Sequence, residues 1–456
     1  MRLKPEGVSA LSRRSFLGMA SAALAAPAKR PPNFIILFAD DMGYSDLACF
    51  GHPTIRTPNL DRMAEQGIRL TSFYCAAPVC TPSRAGLLTG RYPVRAGQPN
   101  NLGPDSKGGL PLTEILLPQV LKQRGYRTAM IGKWHLGHDP EDHMPTRRGF
   151  DSYFGLLYSN DMIPPWVQTK RPLELYRDTK PVERLEDQST LTQRYTEEAV
   201  RVIRAAGSQP FLLYLAYAMP HLPVSASGKF LGSSRAGLYG DVIETLDWSA
   251  GEILKTLRAQ GIDEHTLVVF TSDNGPWHNL PPRMLQKGVE PWHTGTKGLL
   301  RGAKGTTYEG GQRVPFIARW PGVIPPRQVS ADMASTLDLF PTLVKAAGGK
   351  LPGDRVYDGF DILPFLQGKE PSPRRSFFYF SGKTLEAFRE GSWKCRYSRA
   401  GRTDVKAGEP FPPELFNVDV DPAEAYDVYG RHKEIADRML QRMREFAAEL
   451  KAAMAS

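Results

Sequence analysis

Cysteine is scarce in this chain: Cys49, Cys75, Cys80 and Cys395 are the four among 456 residues. That is too few for a fold stapled by disulfides, so a hydrophobic core has to hold the structure. Zinc-finger spacings are missing, and so is any basic run interleaved with aromatics, which argues against nucleic acid as a partner. No apolar run is long enough to cross a bilayer. Internal repeats and low-complexity tracts are absent as well. What is present is ordinary for a globular protein, with 41% hydrophobic and 23% charged residues. The length favours one large α/β domain with a smaller companion over three equal domains.

Ser12-Arg13-Arg14-Ser15-Phe16-Leu17, the apolar Phe16–Ala26 run and the small residues of Ala26-Pro27-Ala28 read as a twin-arginine export signal. The expected division is a signal over 1–28, a catalytic domain over 29–369 and a C-terminal α+β subdomain over 370–456. Export would use the twin-arginine machinery and leave a periplasmic or secreted protein. Arg2, Lys4, Arg13 and Arg14 against Glu6 give the signal a net +3, so cleavage turns the formal +10 into +7. That excess suits an anionic substrate.

Four apolar runs have strand length: Asn33–Ala39, Arg127–Gly132, Phe211–Met219 and Thr266–Phe270. Their continuous apolar character predicts strands buried on both faces, and the helical patterns between them predict a doubly wound, mostly parallel sheet. Each run ends in groups capable of chemistry: Asp40 and Asp41, Lys133 and His135, His221, Asp273 and Asn274. Ligands in such folds bind outside the carboxyl ends of the strands. Asp40, Asp41, Asp273 and Asn274 offer hard oxygen ligands, which favours Ca²⁺ or Mg²⁺ over zinc. After residue 370 the pattern shifts to short strands near 376–380, 393–397 and 415–420 and a helix over roughly 432–452. A small antiparallel sheet packed by one helix is expected there.

The stretch from Cys75 to Arg91 organises the rest. Pro82 suits a helix opening and Gly90 a helix stop, which would set Cys80, Ser83 and Arg84 on one face. The residue-80 side chain would then sit where free N–H groups and the positive end of the helix dipole gather.

Cys80-Thr81-Pro82-Ser83-Arg84 with Leu88-Thr89-Gly90-Arg91 resembles the signature of the formylglycine-dependent sulfatases. Gly305-Thr306-Thr307-Tyr308-Glu309-Gly310-Gly311 and Phe230-Leu231-Gly232 extend the likeness toward the arylsulfatase A and N-acetylgalactosamine-6-sulfatase branch. The resemblance implies an alkaline-phosphatase-like fold and hydrolysis of sulfate esters. Cys80 becomes a formylglycine made by a maturation enzyme, and Arg84 orients the aldehyde hydrate. Asp40, Asp41, Asp273 and Asn274, with the modified Cys80, hold calcium. Lys133, His135, Ser159, His221 and Lys304 match the remaining substrate-site positions. One hydrate hydroxyl would attack sulfur while Lys133 and Lys304 stabilise the spread charge. His221 would serve the leaving oxygen and His135 the expulsion of sulfate.

A phosphonate or phosphodiester hydrolase of the same superfold is the nearest alternative, and a non-hydrolytic binder of sulfated glycans another. A sulfated carbohydrate or aryl sulfate is the expected substrate, with Trp166, Trp277 and Trp292 available to stack on a ring.

Overall fold

The computed structural model describes residues 30–400 and 411–455, so the export signal expected over 1–28 lies outside the described residues. Ten strands build the central sheet: β1 (Asn33–Ala39), β2 (Ile68–Leu70), β3 (Arg127–Gly132), β4 (Ser152–Gly155), β5 (Glu174–Arg177), β6 (Lys180–Arg184), β7 (Phe211–Ala216), β8 (Thr266–Ser272), β9 (Phe316–Arg319) and β10 (Gln328–Ser330). Their spatial order is β10-β2-β9-β8-β1-β7-β3-β4-β5-β6. The five in the middle, β8 to β4, run parallel. β9, anticipated within Val314–Trp320, runs antiparallel to both β8 and β2. The β5–β6 hairpin, in the stretch 162–187 where a loop or hairpin was expected, closes the opposite edge.

Every residue of β1 and β8 is buried, as continuous apolar runs covered on both faces require. Six helices accompany this sheet: α1 (Pro58–Glu65), α2 (Cys80–Thr89), α3 (Leu117–Lys122), α4 (Leu191–Ala205), α5 (Gly237–Ala259) and α6 (Leu339–Ala346). α4 and α1 pack on α5, while α2 and α3 pack on α6. Among the described residues, no helix is long and apolar enough to cross a membrane.

The start of α1 is capped from a distance. Asp247 on α5 accepts hydrogen bonds from the Asn59 and Leu60 amides at 3.0 and 2.8 Å. Removing this acceptor orphans two amides, so Asp247→Ala is expected to cost about 1–2 kcal/mol in urea unfolding. Burial raises the Asp247 carboxyl from 3.8 to about 6. A raised acid favours the protonated folded state, so this group's contribution is fullest below pH 3.8 and is lost as pH climbs through about 6. Asp247→Asn keeps an acceptor without the charge. Its stability relative to the parent should therefore improve as pH rises across that window.

The chain ends in an antiparallel sheet of β11 (Ser376–Ser381), β12 (Thr384–Glu390), β13 (Trp393–Arg396) and β14 (Glu414–Asn417), with α7 (Lys433–Ala455) packed on β12 and β13. Sequence reading found three of these strands and the helix. It missed β12 because Glu386 and Arg389 are buried polar residues that spoil the apolar alternation. The core under this sheet takes Tyr74, Tyr92 and Leu337 from the preceding part of the chain, beside Phe377, Phe388 and Phe446.

Candidate active site

Backbone pairing continues past the strand ends and fixes the residues that follow them. The Asp40 amide donates to the Met219 carbonyl (3.1 Å), that of Asp273 to Ala39 (3.1 Å) and that of Lys133 to Ala216 (2.7 Å). Gly132, at φ 101°, lies so close to the Ala216 carbonyl oxygen that a Cβ would stand 1.8 Å from it, so only glycine can precede Lys133 here. Asp41 and His135 both hold left-handed backbone, at φ 63° and 60°. Such strain in non-glycine residues collects at sites where a side chain must be aimed.

α2 begins at Cys80, with Val79 as its N-cap, two residues earlier than Pro82 suggested. Pro82 still fits, because amides in a first turn have no helical acceptor to lose. Gly90 ends the helix in left-handed backbone at φ 67°. Few free amides are left to gather around an anion here. The Thr81 amide is taken by Asn101 Oδ1 at 2.9 Å and that of Ser83 by the Val79 carbonyl at 3.2 Å, while Pro82 has none. Positive charge comes instead from side chains.

Those side chains converge. Lys133 Nζ lies 2.6 Å from Asp40 Oδ2 and donates to Ser159 Oγ at 3.1 Å. Lys304 Nζ lies 2.7 Å from Asp41 Oδ2 and 3.4 Å from Cys80 Sγ. Arg84 grips Asp273 Oδ2 through Nη2 (2.8 Å) and Nε (3.2 Å), and donates to the Lys133 carbonyl at 2.8 Å. Cys80 Sγ stands 3.6 Å from Asp40 Oδ1 and 3.9 Å from Asp41 Oδ1. Donor atoms of Asp40, Asp41, Cys80 and His221 all lie within 4.8 Å of one another. Asp273 joins through its Oδ1, which accepts the Asp41 amide at 3.0 Å, and Asn274 Nδ2 donates to Asp41 Oδ1 at 2.7 Å.

Electrostatics follow from burial and from these neighbours. Burial works to raise the Asp40 carboxyl, but Lys133 and Arg84, helped by His221 and Lys304, hold it well below the usual range. Burial and the adjacent Asp40 push Asp273 up to about 7. Burial also drives the Cys80 thiol far above its normal value, against the pull of Lys133 and Lys304. Both imidazoles are pushed down by burial, His135 also by Lys133 and His221 by Lys304. Since a carbonyl only accepts, His135 Nε2 donates to Leu102 (2.8 Å) and His221 Nδ1 to Leu222 (2.6 Å). This leaves His135 Nδ1 and His221 Nε2 as the nitrogens with open lone pairs.

Two observations show that a hard cation fits among the acids. Asn274 Oδ1 is buried with no hydrogen-bond partner among the described residues. His221 Nε2 faces Asp41 Oδ2 at 3.5 Å, lone pair toward carboxylate. Neither arrangement is favourable until a positive charge enters between the donors.

A cleft of about 290 Å³ opens above Cys80, lined also by His135, Ser159, His221, Trp277 and Lys304. Sequence reading missed further lining residues, among them Asn101, Asp161 and Arg283. Asp161, two positions after Ser159, had a positional signal; the others lie in aperiodic loops that carry none. Of the three tryptophans considered, Trp277 lines the cleft, Trp166 packs into the main core and Trp292 stands exposed.

Comparison with known proteins accords with this geometry. The sulfatase family profile matches residues 32–349, and that for the C-terminal region of aryl-sulfatase matches 372–456. Human arylsulfatase A is 39% identical over 468 residues, covering 95% of this chain and 90% of its own. Mouse N-acetylgalactosamine-6-sulfatase is 43% identical over 393 residues, covering 82% and 73%. A solved structure described as Ps i-CgsB in complex with k-i-k-neocarrahexaose superposes with a TM-score of 0.78 at 30% identity, covering 91% of this chain and 93% of its own. The chain therefore belongs to the sulfatase family and is a hydrolase of sulfuric esters.

Proposed function

We propose that the chain hydrolyses carbohydrate sulfate esters through a formylglycine made from Cys80, beside Ca²⁺ or Mg²⁺ held by Asp40, Asp41, Asp273 and Asn274. The observation that carries this reading is the setting of Cys80. Its sulfur lies 3.6 Å from Asp40 Oδ1, 3.9 Å from Asp41 Oδ1 and 3.4 Å from Lys304 Nζ at the floor of the cleft, so an aldehyde hydrate at residue 80 would stand between the carboxylates and the space where an ester can enter. A formylglycine hydrate supplies two hydroxyls on one carbon, one to attack sulfur and one to release sulfate afterwards. The metal supplies fixed positive charge and makes a neighbouring hydroxyl more acidic.

The protein's own residues do the rest. Asp40, Asp41 and Asp273 balance Arg84, Lys133 and Lys304, so a divalent cation leaves a net double positive charge to draw in the ester. Arg84, fixed by its bonds to Asp273 and the Lys133 carbonyl, orients side chain 80. Lys133, Ser159 and Lys304 bind the sulfate oxygens and stabilise charge spreading over them. His221, once it carries a proton on Nε2, donates it to the leaving oxygen, and its lowered pKa makes it a ready donor. His135 offers Nδ1 as a base for the second half of the cycle.

A carbohydrate substrate is supported by the apolar face of Trp277 in the cleft, by the sugar sulfate in the mouse relative's name and by the oligosaccharide complex of the structural neighbour. The Ser12–Leu17 motif supports a periplasmic or secreted location reached through twin-arginine export.

Mass spectrometry of the tryptic peptide Leu70–Arg84 from active protein tests the reading. An aldehyde at residue 80 is expected, and thiol alone would overturn it. Sulfate esters should be turned over in preference to the matching phosphate esters. Asp41→Asn and Asp273→Asn should each weaken metal binding at least about tenfold, read as metal content after equilibration in defined calcium.

A further inference from the structure

Beside the sulfate-binding groups, the cleft holds a carboxylate to which the chemistry above gives no task. Asp161 is 5% exposed and lines the cleft with His221, Trp277 and Arg283. Neither of its side-chain oxygens accepts a hydrogen bond or forms an ion pair among the described residues, although its charge is felt at His221, and other buried carboxylates in this protein are engaged. Arg283, at the rim, donates to the Trp166 carbonyl at 2.7 Å and lies over the Trp277 ring.

The position of Asp161 is built. Asn160, the preceding residue, exchanges two 3.0 Å hydrogen bonds with Gln188, one from Asn160 Nδ2 to Gln188 Oε1 and one from Gln188 Nε2 to the Asn160 carbonyl. Ser159 receives Lys133 Nζ, and its carbonyl accepts the Met162 amide at 3.0 Å. The turn that presents Asp161 is thereby locked to the residues proposed to hold the sulfate. An acceptor held this way, at little entropic cost, selects its partner strongly.

We infer that Asp161 is a specificity-determining residue that accepts a hydrogen bond from a free hydroxyl on the sugar ring next to the sulfated carbon. This rests on the carbohydrate sulfatase reading and narrows it. A carboxylate has only lone pairs to offer, so its complement is a donor. A second sulfate or a uronic carboxylate at that neighbouring position would meet like charge in a confined site and be rejected. The preferred substrate is then a neutral sulfated hexose unit whose adjacent hydroxyl is unsubstituted, its apolar face toward Trp277.

The test compares 4-nitrophenyl sulfate, which has no neighbouring hydroxyl, with a panel of singly sulfated hexoses, using whichever hexose the parent enzyme turns over fastest. Asp161→Ala should lower kcat/KM for the hexose roughly 10- to 100-fold, the worth of one charge-assisted hydrogen bond, and the aryl ester by a clearly smaller factor that reports only the charge lost beside His221. Asp161→Asn, which keeps an acceptor oxygen, should fall between parent and alanine on the hexose alone. The deoxy analogue lacking the neighbouring hydroxyl should be equally slow with parent and Asp161→Ala. Equal losses on both substrates would show that Asp161 acts through His221 and would overturn the inference, as would a parent active on the aryl ester but on no hexose. A parent inactive on every sulfate ester would instead defeat the sulfatase mechanism itself.

Discussion

Cys80→Ala should reduce sulfate release by roughly 10⁴- to 10⁶-fold, the scale on which removing an enzymic nucleophile is felt. The loss should appear in kcat. In the proposed mechanism, binding of the ester depends on Lys133, Ser159 and Lys304, whose charges and hydrogen bonds survive the change. Folding should survive too, since alanine is a good helix former at the first turn of α2 and removes a sulfur set among carboxylates. Ion chromatography of released sulfate, read beside far-ultraviolet circular dichroism, gives both numbers. A variant that keeps even a tenth of the parent turnover with native dichroism would remove residue 80 from the chemistry.

Lys394→Met should destabilise the fold by about 3–5 kcal/mol, the usual cost of stripping one partner from a buried ion pair. Lys394 Nζ lies 3.0 Å from Glu309 Oε1 and 2.8 Å from Glu424 Oε1, with all three side chains fully buried. Tyr74, Tyr379, Arg313 and Arg389 also reach Glu309, so the heavier loss falls on Glu424. In the parent, burial already pushes the Glu424 carboxyl up against the pull of Lys394. Without the lysine it rises further. Between its unfolded value and about 7 the folded parent and the variant both hold Glu424 protonated, so the part of the deficit owed to this group should open as pH rises through about 7, where only the parent ionises. Thermal midpoints across pH should show a drop of about 3–5 °C at neutral pH. Adding Glu424→Gln should recover part of it. A pH-independent deficit would assign the loss to packing alone.

This cluster also shows what could and could not be read in the amino-acid order. The four buried strands and the groups at their ends were legible, because a parallel sheet writes its core as uninterrupted apolar runs and its site directly after them. Nothing in the sequence marks Glu309, Lys394 and Glu424 as buried, for charged side chains carry no mark of the partner that allows their burial. The same blindness hid β12, whose Glu386 accepts a hydrogen bond from Thr307 and whose Arg389 reaches Glu309. Lys304 was placed only by resemblance. It sits on an irregular loop where neither period nor propensity speaks, its amide bonded to the Pro276 carbonyl at 3.0 Å and that of Gly305 to the Pro78 carbonyl at 2.8 Å. The start of α7 was read to within a residue or so, and helix ends are in general the least sharply written part of the sequence.

Residue 80 is 1% exposed at the floor of its cleft, crowded by lysine and aspartate side chains. Any catalyst that rewrites this cysteine must therefore meet the polypeptide while it is still open, because the closed form shows it almost no sulfur. Synthesis thus becomes a race. Under the proposed chemistry, a molecule that folds with its thiol intact regains access to a modifying enzyme only by opening the packing around β1 and α2, among the costliest openings a protein makes. The active fraction of a preparation would then be decided during the first minutes of the chain's life, and later incubation with the modifying enzyme should rescue little of the remainder.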